Sequence, residues 1–575
     1  MHWNTYCMEA GGNDGVSQAN QWDDSFKARS KNNRFAQRGR AMKQIRLTIL
    51  LLALAILLAG CNGAGDPVRY DIPGGVSNLD PQFATDPAAR MIISNTFEGL
   101  FSQMPDGSIQ PCLAQSQEVS SDGLTYTFHL RTDAVWTGGG KQYSGTPVTA
   151  HDFVFAFRRM FNSQAASPFA GEFSCLKNAG KILAGTLTAD QLGVRAIDDY
   201  TLEITLDRPN VLLPELLSAS YAMPCNEAFF RSTRARYGFD LDSLIFNGPF
   251  YISVWNNEKR IALRPNPQYV SDEPVLSPGV DLYTSAAQDG AGDPVARFLS
   301  GETDACKVGF ESLPAVAAMG GDIEAFEDTV WVLVFNTRAE PFSNASVRRA
   351  YAHSLNRALF EGQLPQNLRA ASTLIPPAVR MGGEAFRAYA GEDGPIAYST
   401  ELARQYYTAG TDELGVSQID PGEILVCETN NQKMLAGYVQ QGLQRSFGLF
   451  SGLTVLPQDE VLARVNAGDF SAAILPLTAD YSSPDALFSY FRSDSGQNFS
   501  GYQNAEFDAL LASVASLDAQ GQLEAYRDAE RLLLSDGAVI PLYFETTCYA
   551  TARGVSGIEF SPFLTGISFR NAMRE

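Results

Sequence analysis

A run of fourteen uncharged residues, Leu47 to Gly60 (LTILLLALAILLAG), divides this chain into two unequal parts. It comes after Lys43 and Arg46 and ends in the small residues Ala59 and Gly60, the layout of a secretory signal with a charged start, an apolar stretch and a processing site. Fourteen residues fall short of the roughly 20 that a membrane-spanning helix needs, so the run reads as a cleaved signal and not as a permanent anchor helix. The long remainder, from Cys61 on, is expected to fold outside the cytoplasm. Residues 1–41 are polar, show no periodicity and carry Lys27, Arg29, Lys31, Arg34, Arg38 and Arg40. Because Met42 alone opens a normal signal peptide over 42–60, residues 1–41 are expected to be an upstream extension outside the fold.

The whole chain has 575 residues, enough for roughly three to five domain-sized units. Hydrophobic residues make up 45% and charged residues 19%, which excludes a disordered, collagen-like or coiled-coil chain. The formal charge is −21, and the first 60 residues hold eight Lys/Arg against four Asp/Glu, so the exported body is more acidic still. Such a surface disfavours phosphate backbones, and no nucleic-acid partner is expected.

Strand and helix patterns alternate along that body. Tyr126, Phe128 and Leu130 share one face of a strand, as do Leu202, Ile204 and Leu206. Between them, Thr149 with Asp152 three residues on forms a capping box, and Phe153, Phe157, Met160 and Phe161 come next at helical spacing, a core stripe. Further helices are predicted over 344–360, 400–409, 432–447, 506–517 and 522–534, with a strand over 539–544. This is a mixed α/β body without internal repeats.

Catalytic signatures are missing. The chain has no GxSxG elbow, no HExxH, no GxxxxGK[ST] loop and no GxGxxG opening a helix, so no enzyme is expected. Four histidines and no CxxC give no metal-ligand pattern, and neither metal nor cofactor is expected; His129 on a strand and His151 in the capping turn read as structural. With Cys7 upstream and Cys61 at the signal boundary set aside, six cysteines remain that an oxidising compartment could pair. Cys175 and Cys225 flank the 192–205 segment within one expected domain and are the pair put forward, the alternative being two buried thiols.

Leu58-Ala59-Gly60-Cys61 resembles the lipobox of bacterial lipoproteins, which implies diacylation of Cys61 and a tether over 61–69. Along the body, Leu79-Asp80-Pro81, Asn95 to Leu100 (NTFEGL), 124–136 (LTYTFHLRTDAVW), 144–160 (SGTPVTAHDFVFAFRRM), 166–170 (ASPFA), 192–205, 247–269, 341–357 and IPLYF near the end resemble, in order and spacing, the extracytoplasmic oligopeptide-binding proteins of ABC importers, family 5 of the solute-binding proteins. The resemblance implies a two-lobed hinge fold with an extra domain on the first lobe. Lobe I would comprise 70–101, 227–328 and 546–575, the extra domain 102–226, and lobe II 329–545. It also implies a monomer on the outer face of the cytoplasmic membrane that closes over an oligopeptide and delivers it to the permease.

Ala479-Asp480-Tyr481-Ser482-Ser483-Pro484 is similar to the family segment whose Asp pairs with the peptide α-ammonium. The resemblance therefore implies Asp480 as leading ligand residue, beside Thr478, Ala479 and Tyr481, and Phe169 as an aromatic cover over a side-chain pocket. The chain also departs from the pattern. Leu477-Thr478 stands where well-studied members have Trp-Cys, Thr478 and Thr329 replace both cysteines of their disulfide, and Ile474 stands where a basic residue meets a peptide carboxylate. The rivals are another solute on the same scaffold (nickel chelate, haem, oligosaccharide, signalling peptide) and an exported hydrolase.

Overall fold

The computed structural model describes residues 65–575 apart from 73–74, 166, 258, 285–292, 382, 429 and 564–565. The 1–41 extension, the signal and the start of the tether, Cys61 to residue 64, lie outside the described residues.

In chain order the first half contains β1 (Val68–Ile72), α1 (Pro87–Thr96), β2 (Ala114–Val119), β3 (Thr125–Leu130), α2 (Ala150–Met160), β4 (Val194–Asp198) and β5 (Thr201–Thr205). Then come β6 (Phe250–Asn256), β7 (Arg260–Pro265), β8 (Val280–Thr284), β9 (Ala305–Val308) and the long β10 (Asp322–Phe335). The last part holds α3 (Ala345–Ser354), α4 (Thr400–Leu414), β11 (Glu423–Cys427), α5 (Asn430–Phe447), β12 (Gly452–Leu456), β13 (Ala472–Thr478), α6 (Ala505–Ser513), α7 (Ala519–Ser535) and the long β14 (Val539–Thr551).

One mixed sheet runs in the order β6-β7-β8-β1-β9-β14-β10-β13-β11-β12. Among the described residues its two halves are joined through β14 and β10. The outer ends of these strands, Asp322–Glu327 against Thr546–Thr551, sit beside β9, and their inner ends, Thr329–Val334 against Val539–Glu545, sit beside β13. A register shift between Glu327 and Thr329 separates the two ends and leaves Asp328 in a bulge, where its Oδ1 accepts from Thr329 Oγ1 at 3.1 Å and Thr547 Oγ1 at 2.9 Å. A second, antiparallel sheet, β2-β3-β5-β4, stands apart on the first half of the chain. This is the mixed α/β, two-lobed architecture that the resemblance implies.

Local rules hold where they were strongest. The Thr149 backbone N–H donates to Asp152 Oδ2 at 2.8 Å, closing the capping box, and Phe153, Phe157, Met160 and Phe161 are buried. Elsewhere tertiary contacts override them. The helix expected over 344–360 stops at Ser354 and resumes at Ala358, because Arg357 Nε is drawn to Ala371 O at 2.8 Å. The strand expected over 539–544 runs on to Thr551 through polar residues that pair with β9 and β10.

The Cys175–Cys225 bridge is not formed: both residues are free, buried thiols in separate surroundings. Asn210 Nδ2 lies 3.4 Å from Cys175 Sγ, whereas Cys225 Sγ packs 3.2 Å from Arg159 Nη1, and burial pushes the Cys225 thiol up to about 12. His129 and His151 are surface residues near Glu118 and Asp199. Among the described residues no group of His, Cys, Asp and Glu could hold a metal ion, and no helix is long and apolar enough to cross a membrane.

Candidate functional site

Helix α1 begins at Pro87, with Asp86 Oδ1 accepting from Ala89 N at 2.9 Å, and almost every residue in it is buried. Arg90 is the one charged residue it contains, and a guanidinium in such a place needs acceptors. Its Nε donates to Ser220 Oγ at 3.1 Å and its Nη1 to Asp480 Oδ1, also at 3.1 Å. The guanidinium carbon lies 5.6 Å from the Phe169 ring and 5.5 Å from the Tyr221 ring, and these two rings stack on each other at 4.5 Å. Burial alone would lower the Arg90 pKa; the charge and hydrogen bond of Asp480 overcome that and leave it raised.

Asp480 leaves the end of β13, where Thr478 faces Thr329 of β10 directly and the two hydroxyls are 2.8 Å apart. The side chains that stand in for the relatives' cysteines thus still meet, as a hydrogen-bonded pair. Ala479 and Tyr481 are buried on either side of Asp480, and Tyr481 OH donates to Asp485 Oδ2 at 3.4 Å. The Asp480 side chain keeps 13% exposure, and among the described residues its Oδ2 has no donor. Ile474, deep in β13 opposite Leu333, is fully buried and offers no charge.

Phe169 is held by Ser167, whose hydroxyl donates to Gln82 O at 2.6 Å and accepts from Phe169 N at 3.2 Å. The short turn after it carries Glu172, which is buried. At this turn the two parts of the chain touch backbone to backbone: a Cβ on Gly171 would meet Gly496 N at 2.7 Å. Nearby, Arg492 pairs with Asp485 at 3.5 Å and Asp494 at 3.3 Å, and Arg208 reaches Asp494 at 2.8 Å. Among the described residues four buried polar atoms in this region have no hydrogen-bond partner: Arg90 Nη2, Tyr221 OH, Glu172 Oε1 and Arg492 Nε, the last held only by its ion-pair contact with Asp494. Orphaned polar atoms in so enclosed a place point to a ligand or bound water. A cavity of about 410 Å³ near Gly139, Tyr143, Phe229 and Tyr251 lies elsewhere and is lined by none of these groups.

The structure therefore brings Phe169 and Asp480 together through Arg90, although Arg90 and Asp480 are 390 positions apart. The family model of the bacterial extracellular solute-binding proteins, family 5, matches residues 108–499. The chain belongs to this family. Among family 5 relatives, the oligopeptide-binding protein OppA of Bacillus subtilis is 26% identical over 555 residues, covering 92% of this chain and 99% of the relative. The probable deoxycholate-binding periplasmic protein YgiS of Escherichia coli is 27% identical over 486 residues, 83% of this chain and 88% of the relative. The solved Listeria monocytogenes OppA bound to peptide shares the fold, with a TM-score of 0.73 and 24% identity over 88% of this chain and 99% of that one.

Sequence reasoning missed Arg90, Glu172, Tyr221 and Arg492. A signal for Arg90 was available: a lone cation in the otherwise uncharged stretch PAARMIISNT has to find a buried anion. Glu172 had none, since an acid next to Gly171 reads as surface until the chain folds.

Proposed function

We propose that this family 5 protein is exported, held to the outer face of the membrane by lipid on Cys61, and captures oligopeptides between its lobes for delivery to an ABC import permease as a monomer without cofactor. The observation that carries the reading is the Asp480 carboxylate, with one oxygen fixed by Arg90, whose guanidinium lies over the Phe169 and Tyr221 rings, and the other without a donor among the described residues. A carboxylate so placed accepts a peptide α-ammonium, which brings three N–H donors and a positive charge. The names of the curated OppA relatives support a peptide as the solute.

The domain limits track the sheet. The β10 bulge at Asp328 supports a hinge at 328/329, and the change of partner along β14 supports its counterpart near 545/546. Lobe I is then 70–101, 227–328 and 546–575, with 102–226 packed on it, and 329–545 forms lobe II. Two crossing strands bend more readily than a packed layer, and closure over ligand by hinge motion suits this arrangement. Contacts such as Arg90–Asp480 and Arg208–Asp494 would part when the lobes open.

A second reading has its own support. Arg90 Nη2 has no acceptor and lies by two aromatic rings, a setting that suits the carboxylate of an amphipathic acid, and one relative is named for deoxycholate. Native mass spectrometry of ligand released from purified protein separates the readings. Intact peptides are expected; a bile-acid-like anion would favour the second reading, and cleaved peptides would point to a hydrolase.

A further inference from the structure

The charges around Asp480 are almost balanced before any ligand arrives. Arg90 answers Asp480, and Arg492 with Arg208 answer Asp485 and Asp494, so three guanidiniums face three aspartates. Glu172 is a fourth acid with no cation of its own. It comes from a different part of the chain than the aspartates, and its residue keeps 7% exposure. Among the described residues its Oε1 has no hydrogen-bond partner.

The groups facing it come from every neighbouring element. Arg492 acts on it attractively, and Asp480 and Asp485 repel it, all from the segment after β13. The Tyr481 and Tyr490 phenols from that segment and Tyr221 from the first half feel its charge. Tyr221 also lies within reach of Arg90 and Asp480, which places Glu172 at the same site.

Resting on the peptide reading of the site, we propose that Glu172 supplies the net negative charge for a ligand ammonium there, while Asp480, held by Arg90, serves as the accompanying acceptor. An acid in this position would be expected to hold its proton until a cation replaces it, because ionising it alone would leave a buried, unpaired charge. Burial, with Asp480 and Asp485 adding to it against Arg492, pushes its carboxyl up to about 7. Docking an ammonium favours the ionised carboxylate, so binding releases a proton and strengthens as pH rises towards neutrality. With half-titration near 7, the ionised fraction is about 3% at pH 5.5 and about 70% at pH 7.4; the ligand's own amine titrates near about 7.7–8.0, so the charged pair is about half populated at pH 7.4 and declines above it, a difference of about 15-fold in affinity between pH 5.5 and pH 7.4.

The test uses a synthetic library of three- to six-residue peptides with free amino termini, and the same library N-acetylated, on the exported protein after its bound ligand has been stripped. Retained free-amine peptides should bind about 15-fold more weakly at pH 5.5 than at pH 7.4, and calorimetry in two buffers of different ionisation enthalpy should show up to one proton released per peptide near pH 6. Glu172→Gln should bind more weakly at pH 7.4, lose the pH dependence and release no proton, with circular dichroism showing it folded. If Glu172→Gln keeps the wild-type proton release, or wild type shows none, Glu172 does not play this part even though peptides bind. Should Glu172→Gln not fold, Glu172→Asp and the wild-type proton count carry the test. If wild type retains no library member at any pH, the peptide reading itself fails, and this assignment with it.

Discussion

Replacing Arg90 with Gln pulls stability and binding in opposite directions, and the geometry sets the size of each. Arg90 Nη1 is 3.1 Å from Asp480 Oδ1, so a ligand ammonium accepted by Oδ2 would sit about 5 Å from the guanidinium. At an effective dielectric constant of about 20, two like charges that far apart repel by about 3 kcal/mol. Arg90→Gln removes the repulsion and keeps a donor toward Asp480, so free-amine peptides should bind tenfold or more tightly, up to about 100-fold. The same change breaks a buried ion pair and uncovers the Phe169–Tyr221 stack. That should cost about 3 kcal/mol of folding stability, the low end for such pairs because Asp480 is partly hydrated. The companion Asp480→Asn should weaken free-amine peptides by about 2–5 kcal/mol and leaves Arg90 buried without an anion. Calorimetry with matched free and N-acetylated peptides, set beside thermal melts, reads all of this. A loss of affinity for both peptides in Arg90→Gln would sink the reasoning and make Arg90 an anion receptor, in line with an acidic solute.

Single features carry the other expectations. Thr329→Cys with Thr478→Cys should form a cross-strand disulfide, since the hydroxyls are 2.8 Å apart in direct register; closing a loop of about 150 residues is worth about 5 kcal/mol on the chain-entropy model, and non-reducing peptide mapping checks the bridge. Gly171→Ala puts a methyl within 2.7 Å of Gly496 N, so it should weaken ligand by tenfold or more while the melting temperature barely moves; unchanged affinity would show that this approach is not needed for capture. Burial pushes the Asp328 carboxyl up to about 6, above its unfolded value near 4. The native state therefore binds this proton more tightly, stability is gained as pH falls through about 6 towards 4, and up to about 3 kcal/mol is forgone at pH 7. Asp328→Asn should melt a few degrees higher at pH 7 and lose that part of the acid-side slope; an unaltered pH profile counts against it.

Short-range interactions decide the part of the fold that was legible in the sequence. The Thr149 box, the aromatic face of α2 and the alternating strands at 125–130 and 201–205 depend on neighbours within eight positions, and the structure has them. The length of β14 was not legible, because Glu545, Thr546 and Thr547 break the apolar alternation and are strand through pairing with β10 and, at Glu545, with Leu368 as well. The cysteine pair failed for a related reason: sharing a domain says nothing about which wall a side chain faces, and Arg159 claims the side where Cys225 points. For the candidate site, resemblance put forward Asp480 and Phe169 but not Arg90, which lies between them in the structure and is 390 positions from Asp480 in the sequence.

That pairing bears on how such a site works. On the proposed reading, Asp480 left open would carry an unmet charge whenever no peptide is bound, and Arg90 supplies a counter-ion from inside the chain. A placeholder of this kind reduces the attraction for the ligand's ammonium, because the incoming cation finds a carboxylate already answered. On the proposed reading Glu172 restores it, and only when ionised. The pair Arg90–Asp480 then sets the geometry of the acceptor while Glu172 sets the charge, so the two properties can be changed separately by mutation. A pocket with a single bare carboxylate would not allow that separation, because removing its charge also removes the acceptor.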